Sequence, residues 1–166
     1  FGLITFEPVP VMFFNSKIKN HRINSLTQKK IQLEKFKIDF LIIIKFNKLF
    51  SLLNAEQFIK RIIYNRIKSK YVFVSKNFRF GRKRQGNINT LKKFEDIFGF
   101  KTIITSPLKD SKKIISSSLI RKKISLGKIK EANKLLSRSW CVRGKVIKGK
   151  KRGRKIGFPT CNIKLS

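Results

Sequence analysis

Two short blocks carry the residues best suited to chemistry. Ile115-Ser116-Ser117-Ser118-Leu119-Ile120-Arg121 sets three hydroxyls ahead of a helical stripe, with an arginine one turn in. Free N–H groups and the positive end of a helix favour phosphate, and the hydroxyls add hydrogen bonds. Arg121 can meet a phosphate edge with two parallel bonds. Serines at such a start also cap a helix with no ligand present, so Ser-Ser-Ser-x-x-Arg alone leaves both readings open.

The second block runs Gly149-Lys150-Lys151-Arg152-Gly153-Arg154-Lys155-Ile156-Gly157-Phe158-Pro159-Thr160-Cys161-Asn162. Gly149, Gly153 and Gly157 let the backbone approach a ligand closely. Thr160 and Asn162 offer hard oxygens of the kind Mg²⁺ takes when it already holds phosphate. A basic hairpin with turn glycines would explain the glycines and cations but not Phe-Pro-Thr-x-Asn. A third stretch, Asn77-Phe78-Arg79-Phe80-Gly81-Arg82-Lys83-Arg84-Gln85-Gly86, follows an apolar run. Asn77 can bond a ribose or base edge, and Phe78 or Phe80 can pack on an aromatic ring. The same loop could contact RNA phosphates instead.

These blocks need elements to hold them, and the apolar pattern supplies candidates. Phe1 to Phe6 reads as a buried strand ended by Glu7-Pro8-Val9-Pro10, since proline cannot continue a central ladder. Ser25-Leu26-Thr27-Gln28 has the form of a capping box, and Leu26, Leu33 and Phe36 then share a face. Phe40 to Ile44 is a continuous apolar run, as a parallel strand covered on both faces requires. Asn54 opens a helix carrying Ala55, Phe58, Ile59, Ile62 and Ile63 as a stripe. Tyr71 to Val74 is another strand, and Gly99 stops a helix marked by Leu91, Phe94, Ile97 and Phe98. Lys101 to Thr105 is a further strand.

Strands alternating with helices imply βαβ units and a parallel sheet, an α/β fold. Helices follow over about 118–126 and through Ile129, Ala132, Leu135 and Leu136. Ser137 to Ser139 reads as a domain boundary, and Trp140, Val142 and Val146 alternate as the first strand of a new domain.

The 166 residues carry 41 Lys+Arg against 8 Asp+Glu, a formal charge of +33. Such a field attracts polyanions. The chain is also dense in Lys, Ile, Asn and Phe, the residues of AT-rich codons, and compositional drift accounts for the charge without a nucleic-acid partner. Cys141 and Cys161 form no CxxC pair and read as reduced thiols of a cytoplasmic protein, and His21 has no histidine partner for a metal. The longest apolar run falls far short of the ~20 residues that span a bilayer. Both ends read as cut, which implies a piece of a longer protein.

Taken in order, the blocks resemble the bacterial bifunctional riboflavin kinase/FAD synthetases. Thr5-Phe6-Glu7-Pro8-Val9-Pro10 is similar to the family's Thr-Phe-x-Pro-His-Pro, and Asn77 to Gly81 to its Asn/Asp-Phe-x-Phe-Gly loop. Ile115 to Arg121 resembles Ile-Ser-Ser-Thr-x-x-Arg, and Glu131 to Leu136 the helix leading to the kinase module. Gly157 to Asn162 resembles Gly-Phe-Pro-Thr-Ala-Asn. Departures are Val9 for the histidine, Ser75 for a glycine, Ser118 for a threonine and Cys161 for an alanine.

The resemblance implies a Rossmann-like nucleotidyltransferase domain at 1–138, its central first strand missing, and the start of a flavokinase β-barrel at 139–166. It implies riboflavin phosphorylation and FMN adenylylation with ATP and Mg²⁺, on small-molecule substrates, without nucleic acid or membrane. By carry-over, Ser116, Ser117, Ser118 and Arg121 hold ATP phosphates. Asn77 and Phe78, with Phe6, Pro8 and Pro10, form the nucleotide and flavin pocket. Gly149, Gly153, Gly157, Thr160 and Asn162 hold Mg-ATP in the kinase. The expected catalytic residues, a His-x-Gly-His turn and a carboxylate, fall outside these 166 residues, which implies that neither reaction runs in this piece alone. A basic RNA-binding protein without catalysis is the competing reading, and a decayed gene product, suggested by Val9, is a third.

Overall fold

The computed structural model describes residues 1–18, 21–110, 113–149, 152–158 and 160–165. The chain divides into two compact units. One comprises Phe1–Leu3, Arg22–Leu41 and Ser116–Ser166, the other Ile4–His21 and Ile42–Ile115.

Strand β1 (Gly2–Glu7) precedes a short helix α1 (Pro10–Phe14) that has Pro10 in its first turn. Helix α2 (Leu26–Glu34) starts at the expected capping box: Gln28 N–H donates to the Ser25 hydroxyl at 3.2 Å, and Ser25 N–H to the Gln28 carboxamide at 2.8 Å. It closes at Lys35, before the left-handed Lys37, so Phe36 does not join the helical face and is 72% exposed.

Strand β2 (Phe40–Lys45) pairs with β1. Asp39 N–H bonds the Phe1 carbonyl and Phe46 N–H that of Glu7, so the two strands run in the same direction. The expectation that both faces of β2 are covered is not met. Phe40 is 50% and Ile43 38% exposed, because a two-stranded sheet cannot seal both faces.

Helices α3 (Lys48–Ser51) and α4 (Ala55–Phe58) follow, and α4 runs on in π geometry over Ile59–Ile67. Strand β3 (Tyr71–Ser75) pairs in parallel with β4 (Lys101–Thr105), from Tyr71 opposite Lys101 to Ser75 opposite Thr105. Between them α5 (Ile88–Lys93) and α6 (Glu95–Phe98) form the crossover, closed by Gly99 at φ +64°. The Glu95 carboxylate accepts from Thr102 N–H at 2.7 Å, which holds its pKa below the usual range. The core of this unit is Phe58, Ile59, Ile62, Ile63, Val74, Phe80, Leu91 and Phe100. Four of its helical members, Phe58, Ile59, Ile62 and Ile63, belong to the expected stripe.

The parallel pairing thus appears as two small sheets, β1–β2 and β3–β4. A hairpin of β5 (Lys109–Asp110) and β6 (Lys113–Ile114) leads to helix α7 (Ser117–Ser125) and helix α8 (Ile129–Leu136). Ile120 and Ala132 are their buried residues. The Lys123 ammonium and Glu131 carboxylate form an ion pair that ties one helix to the other.

The strand expected from Trp140 begins only at β7 (Gly144–Ile147). Residues before it are held by non-strand bonds: Trp140 N–H to the Asn133 side chain at 2.7 Å, its indole N–H to the Ile23 carbonyl at 3.0 Å. Strand β7 pairs antiparallel with β8 (Asn162–Leu165), and a short helix α9 (Arg152–Lys155) lies in the connection.

Candidate active site

In the unit containing Ile42–Ile115, the loop after β3 is fixed from both ends. Phe78 N–H bonds the Ser75 carbonyl at 2.9 Å, and Phe80 and Gly86 exchange N–H···O bonds of 3.1 and 2.9 Å. Arg82 N–H donates to the Leu53 carbonyl at 2.7 Å. Gly81 sits at φ +73°, and a Cβ there would stand 2.8 Å from the Ala55 nitrogen, so no other residue fits without moving the start of α4. The loop therefore presents Arg82, Lys83 and Arg84 outward, all exposed.

The loop residues alone leave open whether Phe78 or Phe80 meets a ligand ring, while the resemblance names Phe78. Phe80 is buried and packs on Phe58 at 5.3 Å between ring centroids. Phe78 is half-buried and stacks on Phe80 at 5.4 Å and 19°, which leaves it the ring with a face to offer. Phe6 belongs to the same aromatic series, 5.7 Å from Phe50, which in turn lies 6.2 Å from Phe58. Asn77 is exposed in the turn after β3. Pro8 and Pro10 are half-buried between β1 and the first turn of α1.

In the other unit, Ser116 is the N-cap of α7, its hydroxyl accepting from Leu119 N–H at 3.2 Å. Ser117 and Ser118 are exposed in the first turn, and Arg121 is half-buried one turn further. The capping role and a phosphate site use the same end of the same helix, so the cap does not exclude a ligand.

The glycine block of this unit converges on its two polar residues. A Cβ on Gly149 would overlap the Asn162 carboxamide. A Cβ on Gly153 would overlap the Phe158 carbonyl oxygen and stand 3.1 Å from the Thr160 hydroxyl oxygen. Phe158 N–H closes the turn on the Gly153 carbonyl at 2.8 Å, and Gly157 takes φ +78°. Gly149, Gly153, Thr160 and Asn162 are thus brought together across the hairpin, and the oxygens of Thr160 and Asn162 suit a hard cation. Lys150, Lys151 and Pro159 of this block lie outside the described residues.

One constellation escaped sequence reasoning. Gln28 was legible only as part of a capping box. Its amide nitrogen also donates to the Cys141 carbonyl at 2.8 Å, and Arg138 reaches the Asn24 side chain at 2.7 Å. With the two Trp140 bonds, these clamp the segment 138–141 onto the start of α2. Partners 113 and 114 residues apart leave no periodic signal.

The profile of the FAD synthetase family matches residues 1–119. The chain belongs to this family. A riboflavin kinase profile matches residues 136–166. A bifunctional riboflavin kinase/FMN adenylyltransferase from Buchnera aphidicola (subsp. Schizaphis graminum) is 44% identical over 98% of this chain and 53% of its own length. One of the same name from Haemophilus influenzae is 35% identical over 99% of this chain and 53% of its own. The chain therefore spans about half the length of the curated relatives it matches.

A solved structure from Streptococcus pneumoniae, described as a macrolide-efflux protein, superposes with a TM-score of 0.77. It is 29% identical, over 99% of this chain and 53% of that one. The efflux description belongs to that protein. Among the described residues here no helix is long and apolar enough to cross a membrane.

Proposed function

We propose that the whole protein makes FAD from riboflavin in two ATP-dependent steps in the cytoplasm. Riboflavin is phosphorylated to FMN, and FMN then receives AMP with release of pyrophosphate. The observation that carries this reading is the succession on one chain of an FAD synthetase match and a riboflavin kinase match, each containing its own phosphate-type turn. The adenylyltransferase domain takes residues 1–138 in a Rossmann-like arrangement, and 139–166 open the kinase barrel.

In the first domain the start of α7 holds ATP phosphates. Its free N–H groups and the hydroxyls of Ser116, Ser117 and Ser118 give hydrogen bonds, and Arg121 pairs with a phosphate edge. Phe78, supported from behind by Phe80, packs on a ring, while Asn77 bonds a polar edge. Phe6, Pro8 and Pro10 line the flavin side.

In the kinase, Gly149 and Gly153 admit the triphosphate beside Asn162 and Thr160. Those two oxygens would hold Mg²⁺, which neutralises phosphate charge when bound. Both reactions then rest on positioning and charge stabilisation, with no covalent step asked of this chain.

The test uses the full-length gene product with riboflavin, ATP and Mg²⁺. Chromatography is expected to resolve FMN and then FAD. If neither flavin product accumulates, the proposal is overturned.

A further inference from the structure

The register of the β7–β8 hairpin sets Lys145 directly opposite Lys164 and Ile147 opposite Asn162. Directly opposed residues share a face, and so do residues two apart on one strand. Lys145, Lys164 and Asn162 therefore stand on one face, while Val146 and Ile163 form the other.

Two ammonium groups set opposite each other repel. Neither lysine forms an ion pair among the described residues, and residues 139–166 contain no Asp or Glu to neutralise them. The face that carries Asn162 thus holds a pair of cations whose repulsion an anion lying between them would relieve.

We propose that Lys145 and Lys164 are nucleotide-binding residues that grip the phosphate tail of ATP beyond Asn162. The inference rests on the kinase reading above. Same-face neighbours along a strand lie about 7 Å apart, a gap that the flexible four-carbon stem of lysine covers. The loop cations Lys148, Arg152, Arg154 and Lys155 are not paired across the ladder and have no such opposed partner.

The experiment uses full-length protein and the double variant Lys145→Gln/Lys164→Gln. Calorimetry with ATP is expected to show the kinase site binding about tenfold more weakly or worse, with the adenylyltransferase site unchanged. AMP, which lacks the outer phosphates, is expected to bind as it does to the unaltered protein. Lys145→Arg/Lys164→Arg should restore ATP binding. The Tm of the nucleotide-free double Gln variant should be equal or higher, since a repulsion has been removed; a structural role would lower it.

Unchanged ATP affinity, or an equal loss for AMP and ATP, overturns the inference. If the unaltered protein binds ATP through these lysines yet forms no FMN, the kinase reading fails and the anion grip stands.

Discussion

The helix start at Ser116 and the hairpin at Gly149–Asn162 offer similar chemistry by opposite constructions. The helix start is local. Ser116 meets Leu119 three residues on, and the other candidate residues lie within one more turn. The hairpin is not. Gly149 meets Asn162, and Gly153 meets Thr160 through a turn that bends at Gly157. A local site tolerates the loss of one member, because the helix re-forms around it. A site closed by backbone against backbone fails when one approach is blocked.

The sharpest way to break this contrast is Gly153→Ala. The added methyl meets the Phe158 carbonyl, part of the backbone, so the turn must open and Thr160 shifts. In the full-length protein we expect riboflavin phosphorylation to fall about a hundredfold. Adenylylation of supplied FMN should stay within about twofold by the same reasoning, since positioning at the other site is untouched. Equal losses in both assays would show that the two sites are not separate.

Arg121→Lys sharpens the other side of the comparison. It keeps the charge but removes the two-bond fork, so the KM for ATP in adenylylation should rise about tenfold with little change in riboflavin phosphorylation. A KM within experimental error of the unaltered protein would take Arg121 out of the site.

Ser116→Ala tests the cap itself. Losing the bond to Leu119 N–H should cost roughly 1 kcal/mol of stability, read as a lower Tm. A Tm unchanged by the substitution would mean that α7 is held elsewhere.

The smallest effect concerns the Lys123–Glu131 pair between α7 and α8. The hydrogen bond from Lys123 keeps the Glu131 carboxyl below its ordinary pKa. A lowered folded-state pKa contributes stability that is present above the ordinary carboxylate range and lost as pH falls through the lowered value. Glu131→Gln should therefore lower Tm near neutral pH, with the difference closing in acid. A difference that persists unchanged in acid would assign the effect to packing.

The local elements were legible because their signals are local. The Ser25–Gln28 box, the 58–63 stripe, the Gly99 stop and the Lys101–Thr105 strand all appear where their residues predict. What failed to show depends on tertiary surroundings rather than on local pattern. Phe40 and Ile43 look like core until the small sheet leaves them half-open. Trp140 looks like a strand residue until its two N–H groups are seen to be taken by Asn133 and Ile23. Of the candidate sites, sequence supplied the residues, the family resemblance named Phe78 over Phe80, and the structure adds that Phe80 is buried in the core while Phe78 stacks on it half-exposed.

Gln28 uses one amide for two jobs, its oxygen finishing the first turn of α2 and its nitrogen fastening the crossing segment at Cys141. The segment 138–141 is therefore riveted to the start of α2 rather than left loose. Splicing a flexible spacer in after Ser139 would do more than lengthen a tether, because it would also strip the Gln28 amide nitrogen of its acceptor more than a hundred positions downstream, while the Ser25–Gln28 cap itself stays closed.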